Sequence, residues 1–469
     1  IRDCETYQCS VGWRASGERI YLDRIYCHDN FAHNTSPHPV LSDAHNSMLV
    51  NCIFEAAGWN ASAGTMGIML GNNNSLIIRN CHFTDMRDSG SGDAGGIDFE
   101  CGGEANLIHQ CTFKNNAGAA IEVLGLISPQ AKNVEIAECR FAGNNYSKKL
   151  GPSEIFVWGN STDRNVLCSN GLIRDNGYVL HPGVSFFVNN AKPTIKDWTL
   201  QNNRQFDDFE QLDKAMPFNN PPMPNAGDEI WTTKRKVALA GTVEDDGRPA
   251  KTTLSCAWEQ LEGPGNVAFD EPTKAATTAT FPSIGDYRLM LKADDGQLWR
   301  SSRTAIHILP EGATVAKAWS FARNLDKEGW TDHDLGTVKE IFKAARPIES
   351  TFANPVNLVC GDYYVIAIKD SKDARILSPD NLDVKANAMT IKFQNMTNSK
   401  QMRLEITDDG TSWTSVEFDV KPHDLDDSTY RVNLPQTSTI RQMRLNFSDG
   451  KTPVTGTCRI DYIWLGIWN

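Results

Sequence analysis

The amino-acid sequence predicts an all-β protein in which a right-handed parallel β-helix, a solenoid of stacked coils, precedes a β-sandwich and a β-jelly roll. Three observations lead to this fold: a repeat of 28 to 30 residues, short runs of alternating apolar residues, and turn residues at sandwich spacing in the second half. At 469 residues the chain also exceeds one ordinary domain. The predicted division is a solenoid at 1–215, a linker at 216–223, a sandwich at 224–310 and a jelly roll at 315–469.

Four segments of the first half align without gaps and define the coil. Each contains a cysteine followed two residues later by a phenylalanine, in Asn51–Phe54, Asn80–Phe83, Gln110–Phe113 and Glu138–Phe141. The cysteines should therefore stack as a ladder of small buried side chains, and their spacing matches no zinc motif. Because Ile1 already lies within the coil pattern, further coils are expected before it.

A second strand recurs in each coil and determines which side chains face outward. Because side chains alternate along a strand, one line of residues should stack in the core: Ile68, Ile97, Ile121, Ile155 and Val184. The residue after each of these should point outward, which predicts one exposed strip made of Met69, Asp98, Glu122, Phe156 and Ser185.

The predicted strip becomes acidic on two adjacent coils. Asp98 and Glu122 hold the same position on strands about 4.8 Å apart, so their carboxyl groups should be neighbours. Two such acids do not ionise independently, and a raised pKa on one of them suits a general acid beside a nucleophile or base. Glu100, about 6.5 Å along the strand from Asp98, and Glu154, one coil further, are additional catalytic candidates.

The spacing of these acids leaves the stereochemistry of a hydrolysis open. The close pair Asp98 and Glu122 suits a retaining mechanism. The wider separation of Asp98 and Glu100 approaches the distance at which an inverting mechanism fits a water between its two carboxyl groups. Trp158 and Phe156 are candidates for stacking against a sugar ring.

Two long connections should wall the groove that contains these acids. The connection at 55–66 carries Trp59, and the connection at 84–95 carries Arg87 and Asp93. Long connections between strands often carry function, so Trp59, Arg87 and Asp93 are predicted to contact substrate.

Two other interpretations of the acids stay open. Outward carboxylates can simply keep a strand face soluble and discourage edge pairing. Alternatively, Asp98, Glu100 and Glu122 supply the oxygen ligands that calcium prefers, and the chemistry is then a β-elimination with Arg87 or a lysine as base. Apart from this possible calcium ion, no cofactor is predicted.

The charge and hydropathy of the chain limit the classes of partner that it is expected to bind. The formal net charge is −12 at pH 7, whereas nucleic-acid binding requires a basic surface, so no nucleic-acid partner is expected. No apolar run approaches the roughly 20 residues of a membrane span, so membrane insertion is not expected either.

Turn and aromatic residues of the second half resemble two families of β domains. Asp245-Asp246-Gly247, Trp258, Tyr287 and Asp294-Asp295-Gly296 resemble PKD domains, which are immunoglobulin-like sandwiches. Trp319-Ser320-Phe321, Gly329-Trp330, Asp408 to Trp413 and Ile460 to Ile463 resemble galactose-binding-like carbohydrate-binding modules with a jelly-roll fold.

The coils of the first half resemble pectate-lyase-like β-helix proteins, most of which act on polysaccharides along one strand face. This resemblance implies a secreted or cell-surface bacterial protein with a polysaccharide or oligosaccharide partner. A glycoside hydrolase is the first expectation, a calcium-assisted lyase the second, and a non-catalytic glycan-binding surface protein the third. The polygalacturonase pattern of Asp-Asp, Gly-His-Gly and Arg-Ile-Lys is absent from the coils, which argues against a pectin hydrolase.

Overall fold

A computed structural model shows a chain whose regular structure is nearly all β. The residues that the structure describes are 1–7, 9, 12–30, 39–58, 65–88, 92–100, 102–125, 131–159, 170–189, 198–319, 331–333, 358–359, 364–394, 403–416, 429–434, 439–448 and 450–467. One α-helix, Phe209–Ala215, lies within these residues, and Asp208 caps it by accepting a hydrogen bond from the Gln211 N–H. No helix in this part of the chain is long and apolar enough to cross a membrane.

The first half is a β-solenoid made of three parallel sheets, which we name A, B and C in the order that each coil enters them. Sheet A contains Arg14–Glu18, Val40–His45, Ile68–Gly71, Ile97–Phe99, Ile121–Gly125, Ser153–Gly159 and Ser185–Asn189. Sheet B contains Tyr21–Asp23, Met48–Val50, Ile77–Arg79, Leu107–His109, Glu135–Ala137, Leu172–Arg174 and Thr199–Gln201. Sheet C contains Glu5–Tyr7, Tyr26–His28, Ile53–Glu55, His82–Thr84, Thr112–Lys114, Arg140–Ala142, Gly177–Val179 and Arg204–Gln205. A short fourth sheet joins Asn73–Asn74, Gly103–Glu104 and Ala131–Lys132.

The tight turn from sheet B to sheet C is built on one left-handed residue per coil. Asn51, Asn80, Gln110 and Glu138, each directly before a ladder cysteine, have φ angles of 53°, 49°, 54° and 53°. Asn is among the residues that tolerate this conformation best, because its short side chain forms local hydrogen bonds. The four cysteines that follow are buried and free, which confirms the predicted ladder.

Stacked phenylalanines fill the core beside these cysteines. The ring centroids of Phe54 and Phe83 are 4.9 Å apart, those of Phe83 and Phe113 are 5.0 Å apart, and those of Phe113 and Phe141 are 5.1 Å apart. The rings are within 8° of parallel, and all four side chains are at most 1% exposed. Each ring therefore makes apolar contact with the coils on both sides of it.

The predicted register of sheet A is correct except in its last strand. Ile68, Ile97, Ile121 and Ile155 are aligned, but the partner of Ile155 is Phe187 instead of Val184. The residue paired with Phe156 is Val188, and Ser185 pairs with Ser153. The prediction failed because Gly183, with φ +78°, belongs to the turn before the strand, so the strand is displaced by three residues.

The second half contains separate antiparallel sheets, as the sequence predicts. In the sandwich, one sheet has Ile230–Thr232, Trp299–Ile308, Gly285–Asp294 and Ser255–Glu262, another has Lys236–Ala240, Ala276–Thr280 and Ala268–Phe269, and Met223–Asn225 pairs with Thr242–Glu244. Only the pair formed by Ile230–Thr232 and Trp299–Ile308 is parallel among these strands.

Two further sheets lie in the C-terminal part. One contains Leu358–Val359, Tyr364–Ser371, Val454–Ile467, Ala388–Gln394 and Thr429–Asn433, with Thr314–Trp319 also paired to Val454–Ile467. The other contains Thr331–His333, Arg375–Leu377, Gln442–Asn446, Arg403–Thr407 and Thr414–Val416, and Val384–Lys385 pairs with Thr439–Ile440. The assignment of this part as a carbohydrate-binding jelly roll stays a prediction. The bounds of the four predicted segments stay predictions as well.

The sandwich packs on sheet C of the solenoid through paired charges. Arg24 donates to Asp294 at 2.6 Å, and Arg303 donates to Glu5 at 2.7 Å. The indole N–H of Trp299 donates to the backbone carbonyl of Arg24 at 3.0 Å. These contacts lie on sheet C and the turn before it, so they do not involve the outward face of sheet A.

The phenylalanine stack predicts a large loss of stability when one ring is removed. Phe113→Ala should lower the free energy of unfolding by about 3–5 kcal/mol, since it leaves a cavity between Phe83 and Phe141. Guanidinium denaturation followed by circular dichroism measures this change. Tyr21→Ala is the matched control, because Tyr21 is 50% exposed on the same solenoid, and its loss should be far smaller. Equal losses in the two variants would contradict the stacked core.

Candidate active site

The centre of the candidate site is a pair of acids on adjacent coils of sheet A. Asp98 and Glu122 are register partners in the parallel pairing of Ile97–Phe99 with Ile121–Gly125. Met69 lies beside Asp98 on one side of the pair, and Phe156 lies beside Glu122 on the other. The structure therefore brings together the two acids that the coil alignment predicts to be neighbours.

The acids are buried, which corrects the prediction of an exposed strip. Asp98 is 4% exposed and Glu122 is 0% exposed, whereas Asp93 and Glu100 are partly exposed at the edge of the cluster. A carboxylate that only keeps a strand face soluble must contact water. That interpretation is therefore excluded for Asp98 and Glu122.

Stacked connections between sheets C and A lie over the neighbouring part of this face. Lys149 donates to Asp88 at 2.6 Å, and the backbone of Gly92 lies directly against Leu150. Gly151 approaches the Phe156 ring so closely that a Cβ atom there would lie 2.1 Å from it. The connection that contains Leu150 and Gly151 thus covers the part of sheet A next to the acids.

Burial without partners changes the protonation of the pair. Burial raises the pKa of Asp98 well above its usual range, and the charges of Glu122 and Glu100 raise it further. The pKa of Glu122 is also raised well above its usual range, by burial and by the charges of Asp93 and Glu100. Among the described residues, neither carboxyl oxygen of Glu122 accepts a hydrogen bond, and neither does Oδ1 of Asp98. A buried carboxylate that lacks such bonds is unfavourable, so this environment favours the protonated form of the pair.

Glu154 is buried as well, but it has a different environment. Its Oε2 accepts a hydrogen bond from Asn144 Nδ2 at 2.6 Å, and burial raises its pKa to about 8. In the register of sheet A, the residue beside Glu122 on this strand is Phe156. Glu154 is therefore not on the line of the acid pair, and its catalytic role stays a prediction.

The two predicted sugar-stacking residues differ in accessibility. Phe156 is only 2% exposed beneath Gly151, and its contact with a sugar stays a prediction. Trp158 is partly exposed and lies beside Leu124, next to the acids along the same face. Trp158 is therefore the aromatic side chain of this strand that a sugar ring can reach.

The three residues that were predicted to contact substrate from the long connections lie in different environments. Arg87 pairs with Asp29, with 3.1 Å between Nη2 and Oδ1, and burial lowers its pKa. Asp93 lies at the partly exposed edge of the acid cluster, and its charge raises the pKa of both buried acids. Trp59 lies outside the residues that the structure describes.

A ladder of asparagine side chains lies behind the site and was not predicted from the sequence. Asn116 Nδ2 donates to Asn144 Oδ1 at 2.7 Å, and Asn144 in turn holds Glu154. Asn116 and Asn144 each follow an aligned phenylalanine by three residues, and this spacing was the available signal. Within the described ranges, no group of three or more His, Cys, Asp or Glu is arranged to hold a metal ion.

Comparison with known proteins supports the fold of the first half. Residues 1–128 match the family model of the right-handed β-helix region. The A-module of mannuronan C-5 epimerase from Azotobacter vinelandii is 14% identical over 40% of this chain and 60% of that chain, with a TM-score of 0.22. A tailspike protein of Acinetobacter baumannii bacteriophage Fri1, a capsular polysaccharide depolymerase, is 9% identical over 96% of this chain and 63% of that chain, with a TM-score of 0.20. The chain thus spans less than two thirds of either protein.

The sandwich is similar to PKD domains. One from a human protein is 17% identical over 20% of this chain and 84% of that chain, with a TM-score of 0.17. These structural likenesses are distant, so the function has to be argued from the site itself.

The pKa of Glu154 predicts a pH-dependent stability. Between the ordinary value of 4.5 and about 8, folded Glu154 keeps a proton that the unfolded chain has released. Stability relative to Glu154→Gln should therefore fall as the pH rises through this window. Chemical denaturation at pH 5 and pH 9 measures the difference. Glu104→Gln, at an exposed position, is the control and should show no such change; a pH-independent difference for Glu154→Gln would contradict the assignment.

Proposed function

We propose that this protein is a polysaccharide-active enzyme, specifically a glycoside hydrolase whose catalytic acids are Asp98 and Glu122. One observation carries the proposal: two buried carboxyl groups are register partners on adjacent coils, and neither oxygen of Glu122 has a hydrogen-bond partner in the part of the chain that the structure describes. Unpartnered buried acids destabilise a fold, and strongly perturbed pKa values cluster at functional sites.

The geometry supports general-acid catalysis followed by attack of a carboxylate. A carboxyl group with a raised pKa holds the proton that a leaving glycosidic oxygen needs, and its ionised neighbour attacks the anomeric carbon. Water then hydrolyses the glycosyl ester, while the first residue takes a proton from that water. The strand spacing of about 4.8 Å is compatible with the carboxyl separation of about 5–5.5 Å in retaining enzymes, which supports this mechanism.

Substrate would enter from the partly exposed edge of the cluster. Glu100 and Asp93 are accessible there, and Trp158 offers an aromatic face for a sugar ring one strand beyond Glu122. Because Asp98 and Glu122 are buried, a substrate reaches them only after a local opening of this face. We further propose a secreted or cell-surface location, where such a substrate is found.

Asp98→Asn and Glu122→Gln should each lower polysaccharide turnover by about 10²- to 10⁴-fold, because each removes an acid while preserving shape. Reducing-end release from a panel of neutral and acidic polysaccharides measures turnover. Glu18→Gln, an exposed change on sheet A, is the control and should retain activity. Full activity in both acid variants would contradict the proposal.

Ultraviolet absorbance of the products and glycan binding, measured beside reducing-end release, separate the alternative functions. A lyase generates unsaturated ends that absorb ultraviolet light, and chelation of calcium should abolish its activity. Absence of any turnover, together with binding on a glycan array, would instead identify a non-catalytic glycan-binding protein.

A further inference from the structure

A second candidate site lies in a cleft between the solenoid, the linker after the helix and the sandwich. Its volume is about 640 Å³, within the range of about 300–1,000 Å³ that is typical of ligand sites, which often occur at domain interfaces. Five of the lining side chains are carboxamides, from Asn51, Asn80, Gln110, Asn219 and Gln297. The solenoid residues belong to the ends of sheet B strands and to the turn between sheets B and C, so this cleft is separate from the acid pair on sheet A.

The solenoid wall of the cleft is an amide ladder at the coil spacing. Asn80 Nδ2 donates to Asn51 Oδ1 at 2.8 Å, because these residues hold the same left-handed turn position on adjacent coils. Each carboxamide nitrogen carries two hydrogens, and this bond uses one of those on Asn80. The partly exposed side chains therefore present donors and acceptors to a ligand that follows the solenoid axis.

The charged side chains that line the cleft are two arginines, although the chain as a whole is acidic. None of its lining residues is Asp or Glu, and Arg79 and Arg248 contribute two positive charges. Arg248 is neutralised by Asp213, with 3.0 Å between Nη1 and Oδ2. Arg79 is exposed, donates only to Gln110 Oε1 at 3.4 Å, and has no carboxylate partner among the described residues. Arg79 is thus the cation available to an anionic ligand.

Asn219 is the most buried of the five carboxamides. It is 6% exposed and lines the cleft, and its Nδ2 donates to Asp295 at 3.0 Å. Among the described residues, its Oδ1 accepts no hydrogen bond, but this oxygen has almost no accessible surface. The contacts with a ligand are therefore assigned to the other four carboxamides.

We infer that this cleft binds a short acidic oligosaccharide. Carboxamides can donate to and accept from sugar hydroxyls, the Phe218 ring and Pro249 offer apolar surface, and Arg79 can pair with a carboxylate on a sugar. The inference rests on the proposed function only in taking the ligand to be a glycan, and it does not require catalysis at Asp98 and Glu122. A site here would hold an acidic chain to the solenoid at a distance from the acid pair.

Isothermal titration calorimetry on the full chain carrying Glu122→Gln tests this site, because that background prevents consumption of a substrate. Trigalacturonate and trimannuronate are the acidic probes, and cellotriose is the neutral probe. Acidic probes should bind, and Arg79→Gln should weaken their binding at least tenfold, because a charge-assisted hydrogen bond is lost. Cellotriose should bind at least tenfold more weakly than the acidic probes.

Lys132→Gln is the matched control, because it removes one positive charge from the same solenoid outside the cleft. Its affinity for the acidic probes should equal that of the parent chain. The inference is overturned if neither acidic probe binds, if Arg79→Gln binds them like the parent, or if cellotriose binds as tightly. The parent chain and both of its variants carry Glu122→Gln. The binding results therefore do not depend on the outcome of the turnover assay.

Discussion

The parallel register of the coils is the constraint on which the rest of this structure depends. Each residue stands about 4.8 Å from its equivalent on the next coil, so any residue type that recurs forms a ladder. Phe54 to Phe141 show this in the core, with ring centroids 4.9 to 5.1 Å apart. Asn51 and Asn80 show it at the turn. The same rule applied to Asp98 and Glu122 places two carboxyl groups side by side.

Elsewhere the chain supplies buried acids with partners. Burial alone would raise the pKa of Glu5, but hydrogen bonds from His28 and Ser301 and the charge of Arg303 lower it to about 2. Glu122 is more deeply buried than Glu5 and has no such partner among the described residues. Within one solenoid, acids on sheet C thus hold the sandwich, whereas the acid pair on sheet A contains polar atoms whose hydrogen bonds are not satisfied by the described residues.

The sequence was sufficient for the parts of the fold that repeat. Cysteine spacing defined the coils, and strand alternation placed Asp98 beside Glu122, because both depend on local periodicity. Burial could not be predicted in this way, since it depends on how the connections between sheets C and A pack over sheet A, as Gly151 does on Phe156. The register of the last strand failed at Gly183, where a left-handed turn interrupts the repeat. The cleft at Arg79 was also beyond the sequence, because it forms only when the linker and sandwich meet the solenoid.

The central claim is that Asp98 and Glu122 behave as one coupled, buried acid pair. Carboxyl ¹³C NMR titration of the full chain, with assignment through Asp98→Asn and Glu122→Gln, tests it most directly. The account predicts that at least one of the two carboxyl groups stays protonated at pH 7, and that replacing either residue changes the titration of the other. Two independent titrations near the ordinary values of about 4 would contradict it.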